Sequence, residues 1–366
     1  MTVRIGELRD DGDASSAALP PEEQRRMQMA TPSLSVADHS GWSDGAGKLV
    51  AISVYASRED VNTLATAVAS IASASEGLHV RIDVVVNGAD GLANALAALL
   101  GSDPQAGGTE LAVWSLRLGD KAHAWNEYLH RISPKAETFV FMDGYAVMAK
   151  GAIASLVQAL ASSNQALAAT GRPLSGRSAA NIASQMQQRG GLHGNLFALK
   201  TSMVDELRRI GFRLPLGQYR GDSALSGVAA LGANVLPRAY LPTERLLFVD
   251  GARWRHRPLR WWRLGDLRSQ YRRMLRQKQG LIENAAFSDL FHDRGSPFEE
   301  MPRTVEQLVA GFVQRCPAKA ASMARNDRYV RRLLLQLAHP RDWSLAACEP
   351  VLVHRTVGYQ NASLQD

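Results

Sequence analysis

Side chains able to bind a phosphate, a metal ion or a nucleotide base stand just after three short apolar runs of this sequence. Arg58 and Glu59 follow the first run, Asn87 the second and Asp143 the third. A carboxylate in such a place can bind Mg²⁺ or Mn²⁺, an Arg can pair with phosphate, and an amide can bond a base or a ribose. The alternative is a plain turn, because Asn87 and Asp143 each precede a Gly, and these are common turn pairs.

The apolar runs themselves are predicted to be strands of one sheet. The predicted strands cover residues 49–55, 80–86, 111–116 and 138–142, and the predicted helices cover residues 60–74, 92–100 and 121–132. Strands that alternate with helices at this spacing indicate an α/β fold, with a doubly wound, mainly parallel sheet and helices on both faces. Ligands bind beyond the carboxyl ends of such strands. The polar side chains named above stand at those ends.

Length, composition and charge exclude several classes of protein. The chain has 366 residues, of which 46% are hydrophobic and 21% charged, and this composition argues against a disordered or collagen-like chain. A net charge of +7 suits nucleic acid, anionic lipid or a phosphate-bearing substrate without choosing among them. The two Cys residues exclude a disulfide scaffold and indicate reduced thiols in the cytoplasm. We predict neither a secretory signal nor a membrane span.

Changes in composition and in hydrophobic pattern divide the chain into three parts. The predicted parts are a mobile N-terminal arm at 1–47 with a short helix at 22–29, an α/β domain at 48–280, and a mostly helical extension at 281–366. Within the extension, apolar residues have helical spacing at 305–312 and 329–337, and two short apolar runs follow. The role of the extension is left open between packing on the domain and self-association.

Seven short motifs follow one another along the α/β domain. They occupy residues 52–59, 84–88, 121–126, 139–145, 194–199, 211–222 and 270–274. In order and spacing they resemble the motifs of a family 2 glycosyltransferase with the GT-A fold, in which an Asp-x-Asp motif ends a central strand. The resemblance covers about two-thirds of the chain.

The resemblance implies a site for a nucleotide-sugar donor in the first half of the domain, 48–145, and a site for the acceptor in the second half, 146–280. The implied donor ligands are Tyr55, Arg58, Glu59, Asn87, Lys121, Asn126, Asp143 and Arg273. The implied acceptor ligands are His193, Asn195 and Gln270. Tyr55 and Glu59 are equally well explained by packing or capping.

Two carboxylates carry the implied chemistry. Asp143 stands at the first position of Asp-x-Asp and would bind the metal ion and the donor diphosphate, and Asp222 would take the proton of the acceptor hydroxyl in a transfer with inversion. The alternative for Asp222 is the N-cap of a helix over residues 223–230. The prediction requires that these two carboxylates meet in one cleft of the folded chain.

The sequence departs from the family pattern at four positions. Ser57 stands where Asn is common, Val86 where an acid is usual, Tyr145 in place of the second Asp, and Met274 in place of Trp. Because Tyr145 replaces the second Asp, the protein has one carboxylate fewer to bind a metal ion. Three alternatives follow: a weaker Mg²⁺ or Mn²⁺ site, a replacement ligand such as His193, or transfer without a metal, with Arg and Lys as counter-charges.

Residues 253–278 concentrate Arg and Trp. One interpretation is contact with the inner membrane surface, with Trp at the interface and Arg on anionic lipid. The other is a solvated helix that lines the diphosphate site with its Arg residues. Binding of nucleic acid is disfavoured because no recognition motif is present. We therefore expect a cytoplasmic protein, alone or at the inner membrane.

The predicted function is transfer of a sugar, with a UDP-sugar as the expected donor and a glycan or a lipid-linked molecule as acceptor. Self-association is a further expectation. The alternative function is that of a degenerate relative that binds a nucleotide or glycan without turnover. A nucleotidyltransferase is disfavoured because no Gly-rich phosphate loop follows the first strand.

Overall fold

A computed structural model of the chain describes residues 48–101, 110–174, 179–231, 243–256 and 264–356. The predicted N-terminal arm at 1–47 and its short helix lie outside the described residues, as does part of the Arg- and Trp-rich stretch, 257–263. The described residues all fall within one unit, Ser43–Asp366.

Strands and helices alternate along the first half of the described chain. The strands are β1 (Val50–Ala56), β2 (Val80–Asn87), β3 (Glu110–Leu116), β4 (Thr138–Asp143), β5 (Val147–Met148), β6 (Ala168–Pro173), β7 (Leu196–Lys200), β8 (Leu246–Arg255) and β9 (Val351–Thr356). The helices are α1 (Val61–Ala74), α2 (Asp90–Gly101), α3 (Lys121–Glu127), α4 (Ala152–Ser162), α5 (Ala179–Arg189), α6 (Thr201–Arg209), α7 (Gly221–Leu231), α8 (Leu264–Phe287), α9 (Val305–Arg315), α10 (Pro317–Asn326) and α11 (Arg328–Leu337).

The described strands form one mixed sheet in the order β5-β8-β6-β7-β4-β1-β2-β3-β9. Its centre, β4-β1-β2-β3, is parallel, and β7 is antiparallel to both of its neighbours. Tyr55 near the end of β1 lies opposite Asp143 at the end of β4. The carboxyl ends of β1, β2 and β4 therefore meet at one edge, and the prediction of a mixed, mainly parallel α/β sheet is confirmed.

The sheet is buried on both faces because alternate residues of each strand point to opposite sides. Along β1, Ala51 and Tyr55 pack into one apolar cluster, with Trp125 of α3. Ile52 and Val54 pack into the other, with Leu64 of α1. Helices thus cover both faces, as the sequence predicted. The central strands also bury a few polar groups, such as the ion pair of Arg81 with Asp83 in β2, while the candidate site residues stand at the carboxyl edge.

The C-terminal part belongs to the same unit as the sheet. Helix α8 runs through residue 280 without a break, so the predicted boundary between domain and extension lies inside a helix. The helices predicted at 305–312 and 329–337 are confirmed as parts of α9 and α11. The extension is not purely helical, however. The short apolar run at 351–353 is part of β9, which pairs antiparallel with β3 at the edge of the sheet.

Two helix predictions need correction in detail. The helix predicted at 121–132 consists of α3 followed by a wider π-helical turn, Tyr128–Ile132. The helix predicted over 223–230 begins earlier, at Gly221, so Asp222 lies inside its first turn and is not its N-cap. An acid in the first turn still interacts favourably with the positive end of the helix dipole.

Among the helices in the described ranges, none has both the length and the apolar character that crossing a bilayer requires.

Candidate active site

Asp143 closes β4 and has a partner on each carboxylate oxygen. The ammonium of Lys121 donates to Oδ1. The hydroxyl of Tyr145 donates to Oδ2 over 2.8 Å and also lies 3.0 Å from Oδ1 of Asn195. The side chain of Asp143 is only 12% exposed. A carboxylate this buried needs such partners because water cannot solvate its charge.

Lys121 begins α3 at the same edge of the sheet. Asp120 is the N-cap of this helix and accepts the backbone N–H of His123 over 2.7 Å, which fixes where the helix starts. The side chain of Lys121 is 47% exposed, and its ammonium lies 5.8 Å from the ring centre of Tyr55. Lys121 is therefore held at its inner side by Asp143 and open to solvent on the other.

Asp222 reaches the same place from the far half of the chain. Its Oδ2 accepts the backbone N–H of Gly194 over 3.0 Å, and its Oδ1 accepts that of Ser223 over 2.9 Å. A Cβ on Gly194 would lie 3.3 Å from Asp222 Oδ2 and 3.5 Å from Lys121 Nζ. Gly194 thus borders both groups. Asp143 contacts the ammonium of Lys121, and Asp222 borders the same glycine as that ammonium, so the two carboxylates lie in one region of the fold.

The charges of this cluster act on one another. Partial desolvation opposes the charge of Lys121, whose side chain is 47% exposed, but Asp143 and Asp222 outweigh it and raise the pKa of Lys121 above its ordinary value. The residue Tyr145 is 39% exposed, but desolvation of its hydroxyl and then the charge of Asp143 raise its pKa well above the usual range, so the hydroxyl keeps its proton and can donate it in a hydrogen bond. At neutral pH the cluster contains an ammonium and a neutral phenol.

The predicted acceptor residues lie near Asp143 because β7 runs antiparallel to β4. Leu196 at the start of β7 pairs with Met142 near the end of β4, so the residues just before β7 reach Asp143. His193 packs its ring against Trp254, with 4.8 Å between ring centres, and its Nδ1 accepts the backbone N–H of Asn195 over 3.2 Å. Burial is the main cause that lowers the pKa of His193, and the ring is neutral at neutral pH.

Several predicted donor ligands make structural contacts near the site. Glu59 Oε2 accepts the backbone N–H groups of Ser57 (2.7 Å) and Arg58 (2.9 Å) and so holds the turn after β1. The buried amide of Asn87 donates to the carbonyl of Ala56 over 3.0 Å and ties the end of β2 to the end of β1. Arg58 is exposed. Donor binding by these residues stays a prediction.

Asn126 lies deeper than the other predicted ligands. It is 3% exposed, and its amide donates to the carbonyl of Leu214 over 2.9 Å and accepts the N–H of the same residue over 2.8 Å. These two bonds fix the segment that leads to Asp222. The structure therefore gives Asn126 a role in shaping the site, while direct contact with a donor is untested.

Arg273 and Gln270 are exposed residues of α8. Burial is the main cause that lowers the pKa of both His193 and His256, and the charge of Arg273 adds to it. The structure gives no contact that ties Gln270 to the cluster. Its place on the acceptor side remains a prediction.

Two residues that shape the site were not found from the sequence. Glu283 of α8 is fully buried and accepts the backbone N–H groups of Tyr219 and Arg220, at 2.9–3.1 Å, which positions the segment just before Asp222. It lies beyond residue 280, in the part read as an extension. Gly194 begins the motif at 194–199, but the sequence did not indicate that it borders both Lys121 and Asp222. No local signal marks Glu283.

The donor groups present do not fit a divalent cation. Among the described residues, no group of three or more His, Cys, Asp or Glu side chains is placed to hold a metal ion. Both oxygens of Asp143 already have partners. His193 cannot replace the missing ligand in this arrangement, because its Nδ1 accepts a hydrogen bond and its Nε2 then carries the ring hydrogen. The cluster is instead built around an ammonium.

Comparison with known proteins establishes the fold. No protein-family model and no curated protein matches the sequence. Among solved structures, a mannosyltransferase from Pyrobaculum calidifontis, in complex with GDP-mannose and Mn²⁺, superimposes with a TM-score of 0.50 over 87% of this chain and 90% of its own, at 17% identity. A glucosyl-3-phosphoglycerate synthase from Mycobacterium tuberculosis, with Mn²⁺, UDP-glucose and phosphoglyceric acid, is 16% identical, covers 66% of this chain and 82% of its own, and has a TM-score of 0.42. The chain has the GT-A glycosyltransferase fold that the motifs implied.

Proposed function

We propose that the protein is a glycosyltransferase that moves a sugar from a nucleoside-diphosphate donor to an acceptor hydroxyl with inversion. The observation that carries the proposal is the meeting of Asp143, Lys121 and Asp222 at the open edge of a GT-A sheet. These groups supply what the reaction needs, a cation for the leaving diphosphate and a base for the acceptor. The fold shared with the mannosyltransferase supports the same assignment.

In the proposed step, Asp222 accepts the proton of the acceptor hydroxyl as its oxygen attacks the anomeric carbon. A new carbon–oxygen bond forms while the bond from that carbon to the diphosphate oxygen breaks. The electron pair of the broken bond leaves on the nucleoside diphosphate, and the proton passes from Asp222 to solvent. Attack opposite the leaving group inverts the anomeric centre. Asp222 can take part because each carboxylate oxygen accepts more than one hydrogen bond, and the structure gives each oxygen one backbone donor.

A second candidate function is binding of a nucleotide or glycan without turnover. Tyr145 favours it, because its hydroxyl occupies the carboxylate oxygen of Asp143 that a metal ion would need. A binding protein would keep the fold and the pocket but would not cleave the donor.

Turnover of a nucleotide-sugar panel separates the two functions. We expect the protein to release nucleoside diphosphate from one donor, with UDP-sugars first among those tested, and faster when mixed glycan acceptors are present. The assay follows released diphosphate by coupled absorbance. Binding of a donor without release above that of the Asp143→Asn, Asp222→Asn double variant would favour the binding protein, and no binding of any donor would reject both functions.

The place of the protein in the cell is also part of the proposal. A cytoplasmic enzyme that uses a glycan or a lipid-linked acceptor fits the charge of α8, on whose outer surface Arg268, Arg272 and Arg276 are exposed. Arginines at this density attract anionic lipid at low salt. Contact with the inner membrane through residues 253–278 and self-association are further parts of this proposal.

A further inference from the structure

At the second acid of the Asp-x-Asp motif, this chain has a hydrogen-bond donor where the family has a metal ligand. Tyr145 occupies the place of the second acid, and its hydroxyl donates to Asp143 Oδ2. A phenol hydroxyl is a poor ligand for Mg²⁺ or Mn²⁺, which prefer carboxylate and carbonyl oxygens. Tyr145 therefore has two effects on a metal site. It replaces the second carboxylate, and its hydroxyl occupies an oxygen of the first, Asp143.

The other oxygen of Asp143 holds the ammonium of Lys121. An ammonium has three N–H donors, and the structure commits one of them to Asp143. Two donors remain on a side chain that is 47% exposed. Gly194 borders the ammonium without filling the space beside it. A Cβ at position 194 would lie 3.5 Å from Lys121 Nζ, in van der Waals contact. Lys121 is thus a positioned cation with two donors that Asp143 does not use, on a side chain that is partly open to solvent.

The carboxylates near Lys121 are negatively charged, so a diphosphate ligand needs a cation beside it. Asp143 accepts a hydrogen bond from Lys121, and Asp222 borders the same glycine as the ammonium, so the two carboxylates together would repel a diphosphate. Lys121 offsets one of these negative charges, and Arg273, an exposed residue of α8, adds a second positive charge.

We propose that the ammonium of Lys121, held by Asp143, takes the place of a divalent cation, so that this protein binds its nucleoside diphosphate without a metal ion. The inference rests on the proposed function, since it names the group that receives the diphosphate in that same site. Tyr145 positions Asp143 by holding its second oxygen, and Arg273 supplies further positive charge. The ligand is recognised by its diphosphate, whichever base it carries.

The test measures binding of UDP, GDP, ADP and CDP by calorimetry to the full chain, once with EDTA and once with MnCl₂. We expect at least one of them to bind, with dissociation constants in the two buffers that differ by less than about fivefold, roughly 1 kcal/mol. A nucleotide that binds more than about fivefold tighter with Mn²⁺ would overturn the inference and leave the proposed function standing. Absence of binding in both buffers, for all four diphosphates and for the donor panel, would reject both.

A pair of variants at residue 145 tests why the metal is not needed. Tyr145→Asp removes the hydroxyl and restores the second acid, so Mn²⁺ is expected to tighten nucleotide binding by about tenfold or more in that variant. Tyr145→Phe frees Asp143 Oδ2 without adding a carboxylate, so Mn²⁺ is expected to tighten its nucleotide binding much less than that of Tyr145→Asp. Equal binding of Tyr145→Asp in the two buffers, in a variant that melts like the wild type, would contradict the role given to Tyr145.

Discussion

The Asp222→Asn variant is expected to lose sugar transfer by a factor of about 10² to 10⁴ while it binds nucleoside diphosphate no more weakly than the wild type. General-base catalysis contributes an effect of this size, and the amide of Asn cannot take a proton. Diphosphate binding should persist because Lys121 and Asp143 are untouched, and one fewer negative charge faces the ligand. The two quantities are measured by diphosphate release and by calorimetry.

The replacement at Asp222 also removes one hydrogen-bond acceptor, since the Asn nitrogen cannot accept the N–H of Gly194. The expected loss of stability is about 1 kcal/mol, which a melting curve would register without loss of the fold. Asp205→Asn is the matched control, because Asp205 is an exposed carboxylate of α6, away from the cluster. Wild-type turnover by Asp222→Asn would remove the assignment of the base.

The Lys121→Met variant is expected to bind nucleoside diphosphate roughly 10- to 150-fold more weakly than the wild type, and to lose turnover with it. A hydrogen bond to a charged group is worth about 1.5–3 kcal/mol, which corresponds to that range of affinity. The variant also leaves Asp143 with a single partner, the hydroxyl of Tyr145, so its carboxylate would repel the ligand. Calorimetry in EDTA measures the effect without any contribution from metal ions.

Two further variants show whether charge is the cause. Lys121→Arg keeps a cation and donors, so it should retain more binding than Lys121→Met. Lys150→Met removes an exposed Lys that pairs with Glu76 far from the cluster, and should bind like the wild type. If Lys121→Met bound the diphosphate as tightly as Lys150→Met, Lys121 would not be the group that receives it.

The sheet was predictable because its strands carry a strong local signal. The runs at 49–55, 80–86 and 138–142 are rich in β-branched and aromatic residues and are bounded by turn residues, and each became a strand within one residue of the prediction. Strand β9 was missed because a short apolar run at the end of a helical region does not reveal a partner as distant in sequence as β3. Long-range pairing of that kind depends on the whole fold.

The site was predictable in its members but not in its contacts. The motifs selected Lys121, Asp143 and Asp222, yet the sequence could not show that Lys121 donates to Asp143, because that contact depends on how α3 and β4 end at one edge. Tyr145 was seen as a lost ligand, while its new hydrogen bond depends on the turn after β4. Glu283 was missed because a buried acid in a helix looks like a surface acid until the helix is packed.

The most direct test of the central claim is a crystal structure of the full chain with a bound nucleoside diphosphate, grown in EDTA. We predict that a phosphate oxygen lies about 2.7–3.2 Å from Lys121 Nζ, with the terminal phosphate directed toward Asp222 and no metal density beside Asp143. A diphosphate bound elsewhere on the molecule, or one in this cleft that leaves Lys121 paired only with Asp143, would contradict it.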